Sequence, residues 1–307
     1  MLWIALAIAA SIAAGVEAER RAGARAGEWA RGILKFLLYV VMPLVAFFNI
    51  ARLEVDADVG VGIPLAWLAL LITALVGWLI GRKVLHLEPP SAGVLAIVGL
   101  QANTGLLGVA VVAAVLGFDH VSQGVAYDAL VQQPVFFIGS FAIAAATGTK
   151  AGETVRERVK AFFTRNPPLI AVALGLIAPE SLAPDVLVDI SHVLVLIVPV
   201  LGFFAIGVTL AEEAEEGAMK FPPPFTPQIA VAIVLRSLVC PVVLLALSAA
   251  FIDLPAAFLL MAAIPAGLHI VVLAHIYGLD VPFAAGAITW TTMVAVPILL
   301  VASVIAA

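Results

Sequence analysis

The sequence predicts an all-α integral membrane protein of ten transmembrane helices, arranged as two inverted five-helix repeats with broken helices 4 and 9 crossing. Three observations predict it: an extreme apolar composition, ten apolar runs, and an internal repeat with five runs per copy. Hydrophobic residues make up 64% of the 307 positions and charged residues 11%, where a soluble domain carries roughly 25% charged residues. So few charges cannot cover a water-facing surface, and lipid must be the solvent for most of it. A chain of this length holds about ten spans of roughly 20 residues, with no room for a sizeable soluble domain. The net charge is −5, and no Lys/Arg-rich face points to nucleic acid. The one cysteine, Cys240, lies in an apolar run and excludes an intrachain disulfide.

The ten runs read as helices over 2–17, 32–51, 61–81, 92–117, 121–147, 167–182, 187–211, 226–251, 255–277 and 281–306. The first resembles a signal-peptide core but lacks a positive n-region. Arg20, Arg21, Arg25 and Arg31 follow it, which favours a retained span with its N-terminus outside. Runs 1 and 6 are short, so either is expected to lie obliquely or to borrow flanking residues. Residues 1–147 form the first repeat, 148–166 a charged amphipathic linker, and 167–307 the second repeat.

Loops after odd-numbered runs, with their edges, hold Arg20, Arg21, Arg25, Arg31, Lys35, Arg82, Lys83, Lys150, Arg156, Arg158, Lys160, Arg165 and Lys220. Loops after even-numbered runs hold only Arg52. The positive-inside rule makes the first side cytoplasmic and puts both termini outside, in the cell membrane. The acidic run Glu212, Glu213, Glu215 and Glu216 reads as a solvated helix end.

Pro43 to Ile50 (PLVAFFNI) matches Pro199 to Ile206 (PVLGFFAI). Leu107, Val111, Ala113, Gly117 and Asp119 match Leu268, Val272, Ala274, Gly278 and Asp280. These matches lay run 2 on run 7 and run 4 on run 9. Five spans per copy is an odd number, so the second copy enters the membrane from the opposite side. That is the plan of secondary transporters, whose sites lie near the midplane at interrupted helices.

Run 4 carries Gln101, Asn103, Thr104, Gly105 and Gly108 at mid-span, which reads as local unwinding. Run 9 carries Pro265, Ala266, Gly267 and His269. Pro265 cannot donate its backbone bond and clashes with the preceding turn. Freed backbone groups are tolerated only inside protein or along a wet cavity. The repeat register sets Thr104 on Pro265, so the two breaks are expected to meet at the midplane. Their half-helix N-termini would present free N–H groups and partial positive charge to an anion. Gly105 and Gly108 also suit close helix packing.

Three ionisable positions are expected deep within runs. Asp128 sits about 10–12 Å into run 5 at 1.5 Å per residue. Gly124, Asp128 and Gln132 share a face at helical spacing. Asp128 reads as a proton carrier, an ion ligand or a structural partner of Arg236. Arg236, in run 8, reads as a structural or electrostatic group, able to pair with Asp128 or attract an anionic cargo. His269 follows the break in run 9 and can titrate or donate to a carboxylate. His275 and His192 are expected nearer the interfaces. No residues have metal-ligand spacing, no phosphate loop appears and no catalytic nucleophile is visible. No cofactor and no enzyme activity are expected.

Taken together, Pro43 to Ile50, Asn103-Thr104-Gly105 with Gly108, Pro199 to Gly207, Arg236 with Pro241, and Pro265 through Ala274 to Gly278 resemble the auxin efflux carrier family. Bacterial members of that family are known as malonate or malate permeases. The resemblance implies the bile-acid symporter-like fold. Runs 1, 2, 6 and 7 would form a scaffold, and runs 3–5 and 8–10 a mobile transport domain working by an elevator movement. It also implies a small organic anion, a carboxylate or an auxin-like molecule, bound by Asn103, Thr104, Gly105, Pro265, Ala266, Gly267 and His269. Asp128, Gln132 and Arg236 would serve coupling or electrostatics. Coupling to protons or to sodium stays open, as do a homodimer and a non-transporting membrane sensor. Relatives usually follow the run 4 glycine with an aliphatic residue and proline, whereas here Gly108-Val109 precedes Ala110.

Overall fold

The computed structural model describes residues 2–51, 60–117, 120–150, 154–164, 167–215, 223–249 and 251–305. It is 84% helix, with no strand among the described residues. In lipid every backbone polar group must find an internal partner, and helices do this within one segment. Among the described residues, four helical stretches are long and apolar enough to cross a membrane: Gly62–Val84, Gln123–Thr147, Pro227–Ser248 and Val281–Leu299. Arg52, Asp119, Arg165, Glu216 and Lys220 lie outside the described residues, as do the side chains of Asn49, Ile50, Arg158, His192, Pro199, Glu213 and Glu215.

The chain begins with α1 (Leu2–Ala22) and α2 (Ala24–Phe36), separated by Gly23 at φ 53. Residues 18–31, read as a loop, are therefore helical on both sides of one glycine. Their Ala, Arg and Glu content has high helix propensity even where polarity ends the apolar run. A π-helical turn, Leu37–Val41, leads into α3 (Met42–Ala51). Then come α4 (Gly62–Leu79), α5 (Pro89–Leu100), α6 (Val109–Val115) and α7 (Val121–Ala126). The Thr104–Gly108, Tyr127–Gln132 and Val135–Ser140 turns are π-helical. After α8 (Phe141–Thr147), the linker carries a helix of its own, α9 (Val155–Thr164).

The second half runs through α10 (Pro167–Ile177), α11 (Asp185–Glu215), α12 (Pro227–Val234), α13 (Cys240–Ser248), α14 (Ala256–Ala262), α15 (His269–Tyr277) and α16 (Val281–Ile305). Gly278, in the left-handed region at φ 71, ends α15, a conformation that costs glycine no Cβ strain. Thr149 and Lys150 donate backbone N–H bonds to the carbonyls of Gly278 and Tyr277. The end of α8 is thereby tied to the end of α15.

The helices pack in two groups. In one, α1, α2 and α3 lie along α11, and α10 packs on α3. In the other, α4, α8 and α12 pack on α5, α13 packs on α4, and α16 touches α6, α12 and α15. The first group is held very close. A Cβ on Gly15 would strike the carbonyl oxygen of Phe204, and one on Gly207 would strike that of Ile12. Small residues in lipid are selected for this backbone approach, because dispersion between helices replaces the hydrophobic effect.

Candidate functional site

Two helices stop inside the second group. α5 ends at Leu100, where Gln101 turns extended at φ −101 and ψ 115, and helix resumes at Thr104. α14 ends at Ala262, three residues before Pro265, and helix resumes at His269. The two interruptions meet. Asn103 N donates to the Pro265 carbonyl at 2.9 Å, and Gly267 N donates to the Gln101 carbonyl at 3.2 Å. Ala102 thus stands opposite Ala266 in an isolated antiparallel bridge. A Cβ on Gly267 would stand 3.1 Å from the Ala102 carbonyl oxygen, so the lack of a side chain lets the segments close. The extended segments pair through backbone groups, a register that the side-chain matches of the repeat do not report.

A broken helix leaves carbonyls without partners at its C-terminal end. Arg236, fully buried, takes three of them. Its Nη1 donates to the Gly99 carbonyl at 2.9 Å, Nη2 to Ala262 at 2.9 Å and Nε to Ile264 at 3.2 Å. Gln132 Nε2 takes the Leu100 carbonyl at 2.9 Å. Arg236 and Asp128 therefore do not form the pair that composition allowed. The planar guanidinium matches several carbonyls at once, and the break supplies them.

Asp128 faces the other side of the break. Its carboxylate accepts a hydrogen bond from the Thr104 hydroxyl, and one from Gln133 Nε2 at 3.5 Å. A Cβ on Gly105 would stand 3.2 Å from Asp128 Oδ2, so Gly105 leaves that approach clear. Gly108 has a packing role, since a Cβ there would stand 2.6 Å from Met261 Sδ. Gly124, Asp128 and Gln132 all turn to run 4, at Val112, Thr104 and Leu100. The Tyr127–Gln132 turn is π-helical, with wider i→i+5 closure.

Asn103, Thr104, Pro265, Ala266 and Gly267 are all buried. His269 opens α15, its ring centroid 4.7 Å from that of Phe136. It lines a narrow apolar cleft with Leu38, Met42, Gly202, Leu268 and Val272. Met42 and Gly202 belong to the first helix group, so His269 stands on the seam between groups and not within the bridge. Its Nδ1 is buried with no hydrogen-bond partner among the described residues, as is Gln101 Nε2. Thr291, which the sequence reading missed, accepts the Ala266 N–H at 3.2 Å. Its signal was there: hydroxyls at 291 and 292, deep within an apolar run, are costly in lipid without a partner. Among the described residues no group of three His, Cys, Asp or Glu side chains is placed to hold a metal.

Apolar helices long enough to span, packed around two shorter broken ones that are tied together at buried polar groups, define a multi-pass helical membrane protein with an internal polar centre. Residues 12–161 match the membrane transport protein family, the auxin efflux carriers, and this bears out the resemblance carried by the motifs. The match indicates a membrane transporter. No curated protein matches it.

Proposed function

We propose that the protein carries a small organic anion, a carboxylate or auxin-like molecule, across the cell membrane by elevator-type alternating access, as a secondary active or facilitative transporter. The observation that carries the reading is the hydrogen-bonded meeting of residues 101–103 with 265–267. Peptide groups freed halfway through lipid are tolerated where they serve a buried site, and transporters place cargo at such breaks. Asn103, Thr104, Gly105, Pro265, Ala266 and Gly267 bind the charged group, and His269 meets the cargo at the seam. In this reading the chain has ten spans in two inverted repeats. The two packing groups correspond to a scaffold of spans 1, 2, 6 and 7 and a transport domain of spans 3–5 and 8–10. The asymmetry of Lys and Arg supports termini on the outer face.

The test is uptake by the purified chain in liposomes, with malonate and benzoate as probes. Wild type is expected to accumulate at least one of them, and Asn103→Ala combined with Pro265→Ala to abolish uptake. Unchanged uptake in the double variant would reject the assigned site. Sodium-coupled symport is the alternative within the same class, and replacing sodium by potassium abolishes uptake only in that case. A membrane sensor would bind without moving its ligand.

A further inference from the structure

The centre of the fold holds two charged residues of opposite sign, and the chain treats them differently. Arg236 is matched. Its donors fall on carbonyls at the ends of α5 and α14. Each helix C-terminus counts for roughly half a negative charge, so two of them offset one guanidinium. Asp128 has no such match. Its two donors, the Thr104 hydroxyl and the Gln133 amide, are neutral. The elements packed against its turn are α4, α7, α14 and the turns 104–108 and 135–140. None of them carries a charged side chain. Tyr127, on the same turn, is the nearest titratable group in sequence, with its ring edge-on to Phe258. His120 stands ahead of α7, about 12 Å back along the helix.

We propose that Asp128 is a tethered rival of the cargo's carboxylate for Thr104, and that its protonation brings one proton with each bound anion. This rests on the reading that Thr104 binds the cargo. An ionised Asp128 holds the Thr104 hydroxyl and repels a second carboxylate, since two carboxylates sharing one site cannot both stay ionised. A protonated Asp128 releases that hydroxyl and becomes a donor itself. The proton comes from water and stays on the Asp128 carboxyl, so a monoanion such as benzoate and its proton together leave the charge of the site where the ionised aspartate had set it, while a malonate dianion adds one negative charge. Gly105 keeps the path between them open. Metal cations such as calcium and magnesium are held by clusters of oxygen acceptors. The groups facing Asp128 present a hydroxyl proton and an amide N–H instead, a donor set suited to a carboxylate that gains and loses a proton.

The experiment uses the full chain in liposomes with a pH dye inside and malonate or benzoate outside, above neutrality, where neither probe titrates. In wild type the apparent affinity is expected to fall about tenfold per pH unit once Asp128 ionises. One proton should enter per anion, and infrared difference spectra should show a protonated carboxyl when the anion binds. Asp128→Asn is expected to flatten the pH dependence and to remove both the proton and the carboxyl band. Thr104→Val should weaken the affinity and keep the slope. A wild-type slope in Asp128→Asn, a missing carboxyl band in wild type, or a sodium requirement would each overturn the coupling while leaving anion transport standing. If wild type binds and moves neither probe, the anion reading falls, and this inference falls with it.

Discussion

At the scale of single residues, the fold depends on a polar centre in an apolar bundle. Arg236 replaces the missing helical donors of two broken helices at once, which a lysine ammonium cannot do in the same plane. Each buried carbonyl left without a partner costs about 1–3 kcal/mol. Arg236→Met is therefore expected to lower stability by about 3 kcal/mol or more, and Arg236→Lys by roughly half that. Thermal unfolding in detergent measures both, and equal melting temperatures for the three proteins would reject the role. The sequence marked Arg236 and Asp128 as intramembrane charges, because charge in an apolar run is visible by inspection. It did not show that they avoid each other. Arg236 turns to carbonyls from α5 and α14 and Asp128 to Thr104, and those partners lie far away along the chain.

At the scale of elements, the two breaks have different local causes. α14 stops ahead of Pro265, which has no N–H to give. α5 stops without a proline and is held open from outside by Gln132 and Arg236 on its last carbonyls and by the bridge to Ala266. Tertiary hydrogen bonds thus hold this break without a proline. Thr291→Val, which removes the acceptor of the Ala266 N–H, is expected to destabilise the protein by about 1–3 kcal/mol. It should also raise amide exchange at the second break, read by mass spectrometry. Close helix packing gives a separate prediction. Gly207→Ala forces a methyl group onto the Ile12 carbonyl and is expected to cost about 1–3 kcal/mol. Gly32→Ala, with open space around it, is the control that should melt as wild type does.

At the scale of the whole molecule, the seam between the two helix groups decides whether an elevator movement is available. Leu38 and Leu268 line the cleft from opposite groups. In a chain whose own Cys240 is replaced by alanine, Leu38→Cys with Leu268→Cys is expected to lose most uptake on oxidation and to regain it on reduction. Each single cysteine should be indifferent. Full uptake by a chain whose cross-link is complete would mean the groups do not slide.

The amino-acid sequence alone determined that this chain lives in lipid, that it is helical, which family it resembles and where two helices are interrupted. Those properties follow from composition, periodicity and the missing N–H of a proline, all of them local. Only the tertiary structure decided the register in which Ala102 meets Ala266, the helicity of residues 18–31 around Gly23, and the partners of Arg236, Asp128 and Gln132. Each depends on which distant backbone groups are left without water, and a linear pattern of residue types does not carry that information.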